Sequence, residues 1–128
     1  MLKSNALPMQ IQPSMNQPNT TPQSAAHPHG RYHSVFREGL FSGRTFWVTG
    51  GGSGIGRCVA HELASLGARV IISGRTQEKL DRVAQEIRED GGLCETIAFD
   101  IRDEDAVKTA VAAMVQQVGT RTGLVNNA

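Results

Sequence analysis

Eight consecutive residues, Thr49-Gly50-Gly51-Gly52-Ser53-Gly54-Ile55-Gly56, concentrate glycine where an apolar run passes into an amphipathic one. This is an arrangement that can hold an anion. A strand that turns through glycines into a helix aims free backbone N–H groups and the positive helix end at one spot, where a phosphate or pyrophosphate is stabilised. A Cβ would block both the tight turn and the close approach of phosphate to backbone. The general dinucleotide spacing Gly-x-Gly-x-x-Gly does not fit: begun at Gly52 it finds Gly54 and then asks for glycine where Arg57 stands. The spacing that fits is Thr-Gly-x-x-x-Gly-x-Gly, with glycines at Gly50, Gly54 and Gly56.

The elements around these residues must place them. Thr45 to Val48 is a short β-branched and aromatic run, as a buried strand should be. Ile55, Val59, Leu63 and Leu66 then recur at helical spacing up to Gly67. Arg69 to Ser73 carries the unbroken apolar run of a strand covered on both faces. Thr76 to Asp90 predicts a helix with Leu80, Val83, Ala84 and Ile87 on one face, Thr76 as a side-chain N-cap and Gly91-Gly92 as its end. A third strand is expected over Thr96 to Phe99. A helix from Asp103 to Gly119 follows, its stripe formed by Ala106, Val107, Ala110, Val111, Met114, Val115 and Val118. Leu124-Val125 opens a fourth strand. Strict alternation implies a parallel sheet with right-handed crossovers, a Rossmann-type doubly wound α/β fold. Ligands bind such sheets outside the carboxyl ends of the strands. There stand the glycine loop, Gly74-Arg75, Asp100-Ile101 and Asn126-Asn127.

The Thr-Gly-x-x-x-Gly-x-Gly loop and the terminal Leu124-Val125-Asn126-Asn127-Ala128 resemble the short-chain dehydrogenase/reductase family over residues 40–128. The resemblance implies a nicotinamide dinucleotide at this edge, with Gly50, Ser53, Gly54, Ile55 and Gly56 around its phosphates. It implies that Asp100 accepts from the adenine amino group, Ile101 contributes backbone and Asn127 lies against the ribose. The alternative for Asp100 is a helix cap, a task better suited to Asp103. NAD-preferring proteins place a carboxylate on the ribose about 20 residues beyond the loop. Here Gly74 stands at that place and Arg75 follows, able to pair bidentately with a 2′-phosphate, with Lys79 one turn on. NADP is therefore expected over NAD. Val35-Phe36-Arg37-Glu38-Gly39-Leu40-Phe41 is similar to bacterial members acting on citronellol-type terpenoids or enoyl-CoA thioesters.

Catalysis in the family uses a serine, a Tyr-x-x-x-Lys pair and a helix asparagine beyond the fourth strand. The only tyrosine here is Tyr32, with Phe36 where the lysine would stand, so no catalytic residue is assigned. The expectation is the N-terminal, cofactor-binding half of an NADP-dependent oxidoreductase, residues 45–128, truncated after the fourth strand. The sheet would then end at an unpaired edge and the chain alone would be marginally stable. Its full-length form would be a homo-oligomer acting on a small-molecule substrate. A non-catalytic nucleotide-sensing module and a different phosphate-binding α/β protein are the alternatives.

Composition sets the remaining bounds. All five prolines fall within residues 1–28, a stretch rich in Gln, Asn and Ser with Lys3 its only charge, so 1–30 reads as a disordered tail and 31–44 as a lead-in. A net charge of +1 without a basic stripe does not point to nucleic acid, and no apolar run approaches the ~20 residues of a membrane helix. His27, His29 and His33 lack further ligands for a metal. Cys58 and Cys94 match no redox or metal spacing; both are expected as small buried hydrophobes in a reducing, cytoplasmic compartment.

Overall fold

A run such as Val70-Ile71-Ile72 is stable only if both its faces are covered. The computed structural model leaves each of the three at most 1% exposed. The structure describes residues 32–118 and 122–128. They form β1 (Thr45–Thr49), α1 (Gly54–Ser65), β2 (Arg69–Gly74), α2 (Gln77–Glu89), β3 (Leu93–Ala98), α3 (Glu104–Val118) and β4 (Thr122–Val125). Every pairing is parallel and the strand order is β3-β2-β1-β4. The chain winds outward from β1 through β2 to β3, then crosses to the other side of β1. This is the Rossmann-type α/β arrangement expected from the alternation. The expected tail over 1–30 lies outside the described residues.

Side chains alternate across the sheet, so β1 and β2 feed two cores. Val48, Val70 and Ile72 pack with Ala60, Leu63 and Ala64 of α1 and with Leu80, Val83, Ala84 and Ile87 of α2. Trp47 and Ile71 point the other way, onto Ala110 and Met114 of α3. The indole N–H of Trp47 donates to Ser73 Oγ at 2.9 Å, which satisfies both buried groups. Its ring meets Phe99 edge-on at 6.1 Å. Ahead of β1, the lead-in is tied by the Phe41 N–H to the Leu66 carbonyl and by the Arg69 N–H to the Arg44 carbonyl, both at 2.9 Å.

Several expectations are corrected. Of the expected α1 stripe, Leu63 and Leu66 are buried and Val59 is half-buried against the core, whereas Ile55 is 75% exposed; Gly56, Ala60 and Ala64 complete the buried face. Small residues at 56, 60 and 64 let the helix come close to the sheet. Cys58 consequently faces outward and is exposed; Cys94 is buried within β3, and burial pushes its thiol up to about 12. The third strand starts at Leu93, three residues earlier than expected, and stops before Phe99; the fourth starts at Thr122 rather than Leu124. Thr76 does occupy the N-cap of α2, but its hydroxyl makes no capping bond; its carbonyl instead accepts from Lys79 N–H at 3.2 Å. On α3 only Ala110 and Met114 are buried, while Val111 and Val115 are exposed. Among the described residues no helix is long and apolar enough to cross a membrane, and no cluster of three His, Cys, Asp or Glu could hold a metal.

Candidate nucleotide-binding site

β1 leaves the sheet at Thr49 and the chain turns at once through Gly50, whose φ is 67°. Gly51 N–H donates to the Ser73 carbonyl at 3.1 Å, which anchors the loop to the end of β2. Ser53 then takes the N-cap position of α1 in an extended conformation, without a side-chain capping bond, and the first turn carries no acidic residue. The contrast with α3 is instructive. There Asp103 Oδ1 accepts from the N–H groups of Asp105 and Ala106, both at 3.1 Å, and Glu104 and Asp105 fill the first turn. One helix start is satisfied from within; that of α1 has no such side-chain cap, which leaves its positive end open to an external anion.

The topology brings the other end of the chain to this loop. Asn127 Nδ2 donates to the carbonyls of Thr49 and Gly50 at 3.2 and 3.4 Å. Thr49 Oγ1 accepts from the backbone N–H groups of Asn127 and Ala128 at 2.9 and 3.0 Å, and donates to the Val125 carbonyl at 3.4 Å. Thr49 is thus the clasp between β1 and β4, although its role was legible only as the first letter of the loop motif. Thr49→Val removes that acceptor and donor at constant volume. The expected result is a loss of about 1–3 kcal/mol, the desolvation penalty of orphaned groups, read from the shift in urea midpoint.

Beside the loop lies a cleft of about 400 Å³. Gly50, Ser53, Arg75, Asp100 and Ile101, all nominated from sequence, line it. Gly54 and Ile55 head α1 and are exposed, while Gly56 is buried beneath the loop and Asn127 is placed behind Gly50. Gly52, Gly74, Thr76, Lys79, Leu80, Phe99, Arg102 and Ala128 complete the lining. Arg102 in particular was missed, because only the turn after β3 returns it to the cleft. Asp103, and not Asp100, caps α3. The guanidinium of Arg102 hydrogen-bonds the Asp100 carboxylate and holds it down to about 2, with a smaller contribution from the Arg75 charge.

The residues fit a dinucleotide phosphate. Gly54 has φ 54° and no atom within 4 Å of the place its Cβ would take, so the space above the helix start is open. Arg75 and Lys79 both line the cleft and are exposed, and Gly74 beside them brings no carboxylate to it.

A parallel sheet read outward from β1 in both directions, with a glycine loop at its switch point, defines a Rossmann-type α/β protein. The model of the short chain dehydrogenase family matches residues 44–128, and the chain belongs to that family. A solved citronellol catabolism dehydrogenase from Pseudomonas aeruginosa PAO1 is 61% identical with a TM-score of 0.73, over 76% of this chain and 41% of that one. A metagenomic short-chain oxidoreductase solved in complex with NADP is 41% identical with a TM-score of 0.67, over 69% of this chain and 40% of that one. A Caenorhabditis elegans protein named "Probable 2,4-dienoyl-CoA reductase 3" is 41% identical over 73% of this chain and 31% of its own length. The chain therefore spans about a third of that curated relative.

Proposed function

We propose that residues 45–128 are the cofactor-binding part of an NADP-dependent oxidoreductase that transfers hydride between the nicotinamide and an alcohol, carbonyl or enoyl substrate. The observation that carries this reading is the pairing of Arg75 and Lys79 on the cleft wall with Gly74 where an NAD-selective carboxylate would stand. In this reading the backbone of Gly50 to Gly56 and the start of α1 hold the pyrophosphate. Arg75, with Lys79 behind it, holds the 2′-phosphate. Asp100 accepts from the adenine amino group, the Ile101 backbone flanks the base, and Asn127 meets the ribose. When bound, the nicotinamide supplies the hydride chemistry; the residues described here bind and orient it, and none is assigned a catalytic role.

The 61% identity to a citronellol catabolism dehydrogenase favours a terpenoid alcohol or its carbonyl as the small-molecule substrate. The full-length protein is proposed to be a homo-oligomer in the reducing cytoplasm, consistent with free cysteines at 58 and 94. Nothing in the reading calls for nucleic acid or a membrane surface.

Trp47 is the only tryptophan, and its ring meets Phe99, which lines the cleft. Titration of NADPH should therefore quench Trp47 fluorescence in a saturable way, with NADH at least about tenfold weaker, as one charge-assisted contact predicts. Equal affinity for the two would overturn the NADP assignment, and no saturation with either would overturn the cofactor site.

A further inference from the structure

Phe99 donates its backbone N–H to the Gly74 carbonyl at 2.9 Å, which ties the end of β3 to the end of β2 and brings Asp100 into the cleft that holds Arg75. The following turn folds Arg102 back onto the same carboxylate. Its backbone N–H and Nε donate to Asp100 Oδ1 at 3.0 and 3.1 Å; Nε and Nη2 donate to Oδ2 at 3.0 and 2.6 Å. The Arg102 side chain is 77% exposed and that of Asp100 33%. An exposed ion pair two residues apart adds little to stability, and the cap of α3 is already made by Asp103. Its placement on the cleft wall is what distinguishes this fork.

Two consequences follow from its chemistry. Planar guanidinium donors on both oxygens fix the plane of the carboxylate, which a flexible ammonium would not do. The single Nε–H is shared between the two oxygens, so three donors meet the four acceptor sites of the carboxylate and one site is left for a further donor. The positive charge also offsets an anion that otherwise faces the phosphate-holding wall of Arg75 and Lys79.

We propose that Arg102 is a positioning residue of the adenine subsite: its fork holds Asp100 in the one orientation that accepts the exocyclic amino group of the base. The proposal rests on the reading of this cleft as an NADP site. It predicts that selection for adenine depends on the fork, and overall affinity on the charge.

The test compares NADPH with its deamino analogue, which carries hypoxanthine and lacks the amino group, on the full chain as wild type, Arg102→Lys and Arg102→Met. The wild type should prefer NADPH by roughly tenfold, the value of one charge-assisted hydrogen bond. Arg102→Lys keeps the charge but loses the fork. It should bind the analogue within about twofold of wild type while its preference falls to about twofold or less. Arg102→Met should bind both more weakly and without preference. Because the side chain is exposed, the thermal transitions of the variants should coincide with that of wild type. A wild type that binds NADPH without preference, or an Arg102→Lys variant that keeps the tenfold preference, overturns this inference alone. A wild type that binds neither dinucleotide overturns the reading of the cleft, and this proposal with it.

Discussion

Gly56→Ala is expected to abolish binding of the dinucleotide and to lower stability by about 1–3 kcal/mol, the usual cost of overpacking. A Cβ at this position would stand 2.2 Å from the Gly50 carbonyl oxygen and 2.8 Å from its carbon. It would also stand 2.6 Å from Asn127 Nδ2. A flexible side chain could yield to such a contact, but two of these atoms are backbone of the loop itself. Either the start of α1 moves away or the loop opens. Both displace the N–H groups that would face the proposed anion, and both break the Asn127 bonds to Thr49 and Gly50. Gly54→Ala is the control, since its Cβ meets nothing within 4 Å and only the positive φ of 54° opposes it. Urea denaturation and NADPH titration of the two variants check the contrast. Wild-type affinity in Gly56→Ala would refute the proposed packing of loop against helix.

Arg75→Ala is expected to weaken NADPH by one to two decades, about 1.5–3 kcal/mol, the range for a hydrogen bond to a charged group. NADH, lacking the 2′-phosphate, should change by no more than about threefold. The reason is geometric. Arg75 and Lys79 both line the cleft, and Gly74 presents no carboxylate to repel a phosphate. Lys79 offers only a point charge one turn further on, so it can replace the attraction in part but not the bidentate fit. Raising the salt concentration should narrow the gap between wild type and variant for NADPH, because the lost term is screened. A parallel loss for NADH would instead assign Arg75 to the pyrophosphate or to the shape of the loop.

Much of this was legible from the chain alone, and the misreadings share a cause. Spacing revealed the loop because phosphate approach constrains residue type at fixed positions, and Val70-Ile71-Ile72 revealed β2 because double burial leaves no polar position. On α1, Ile55 was misplaced and the small residues of the buried face were missed, since apolar periodicity points at bulky residues. Beside Leu63, the contact is made by Gly56, Ala60 and Ala64, whose merit is being small. Cys58 followed the same error outward. Leu93 to Glu95 looked unlike a strand because an edge strand tolerates polar and exposed residues. Thr49 and Arg102 act through contacts set by turns and by partners far along the chain, which no local window contains.

The clasp between Thr49 and Asn127 joins residues 78 apart in sequence, against 26 for the Trp47–Ser73 link between β1 and β2. Closing a loop three times longer costs about 1 kcal/mol more in chain entropy. The β1–β2–β3 side is closed by short crossovers, whereas β4 pairs with β1 across the longer loop. Yet the anion-facing loop is finished only when β4 arrives, since Asn127 holds its carbonyls. A ligand gripping that loop thus favours the assembled form over one with β4 detached. The nucleotide would act as a template for the docking of β4, and strand docking and ligand capture would become one linked equilibrium.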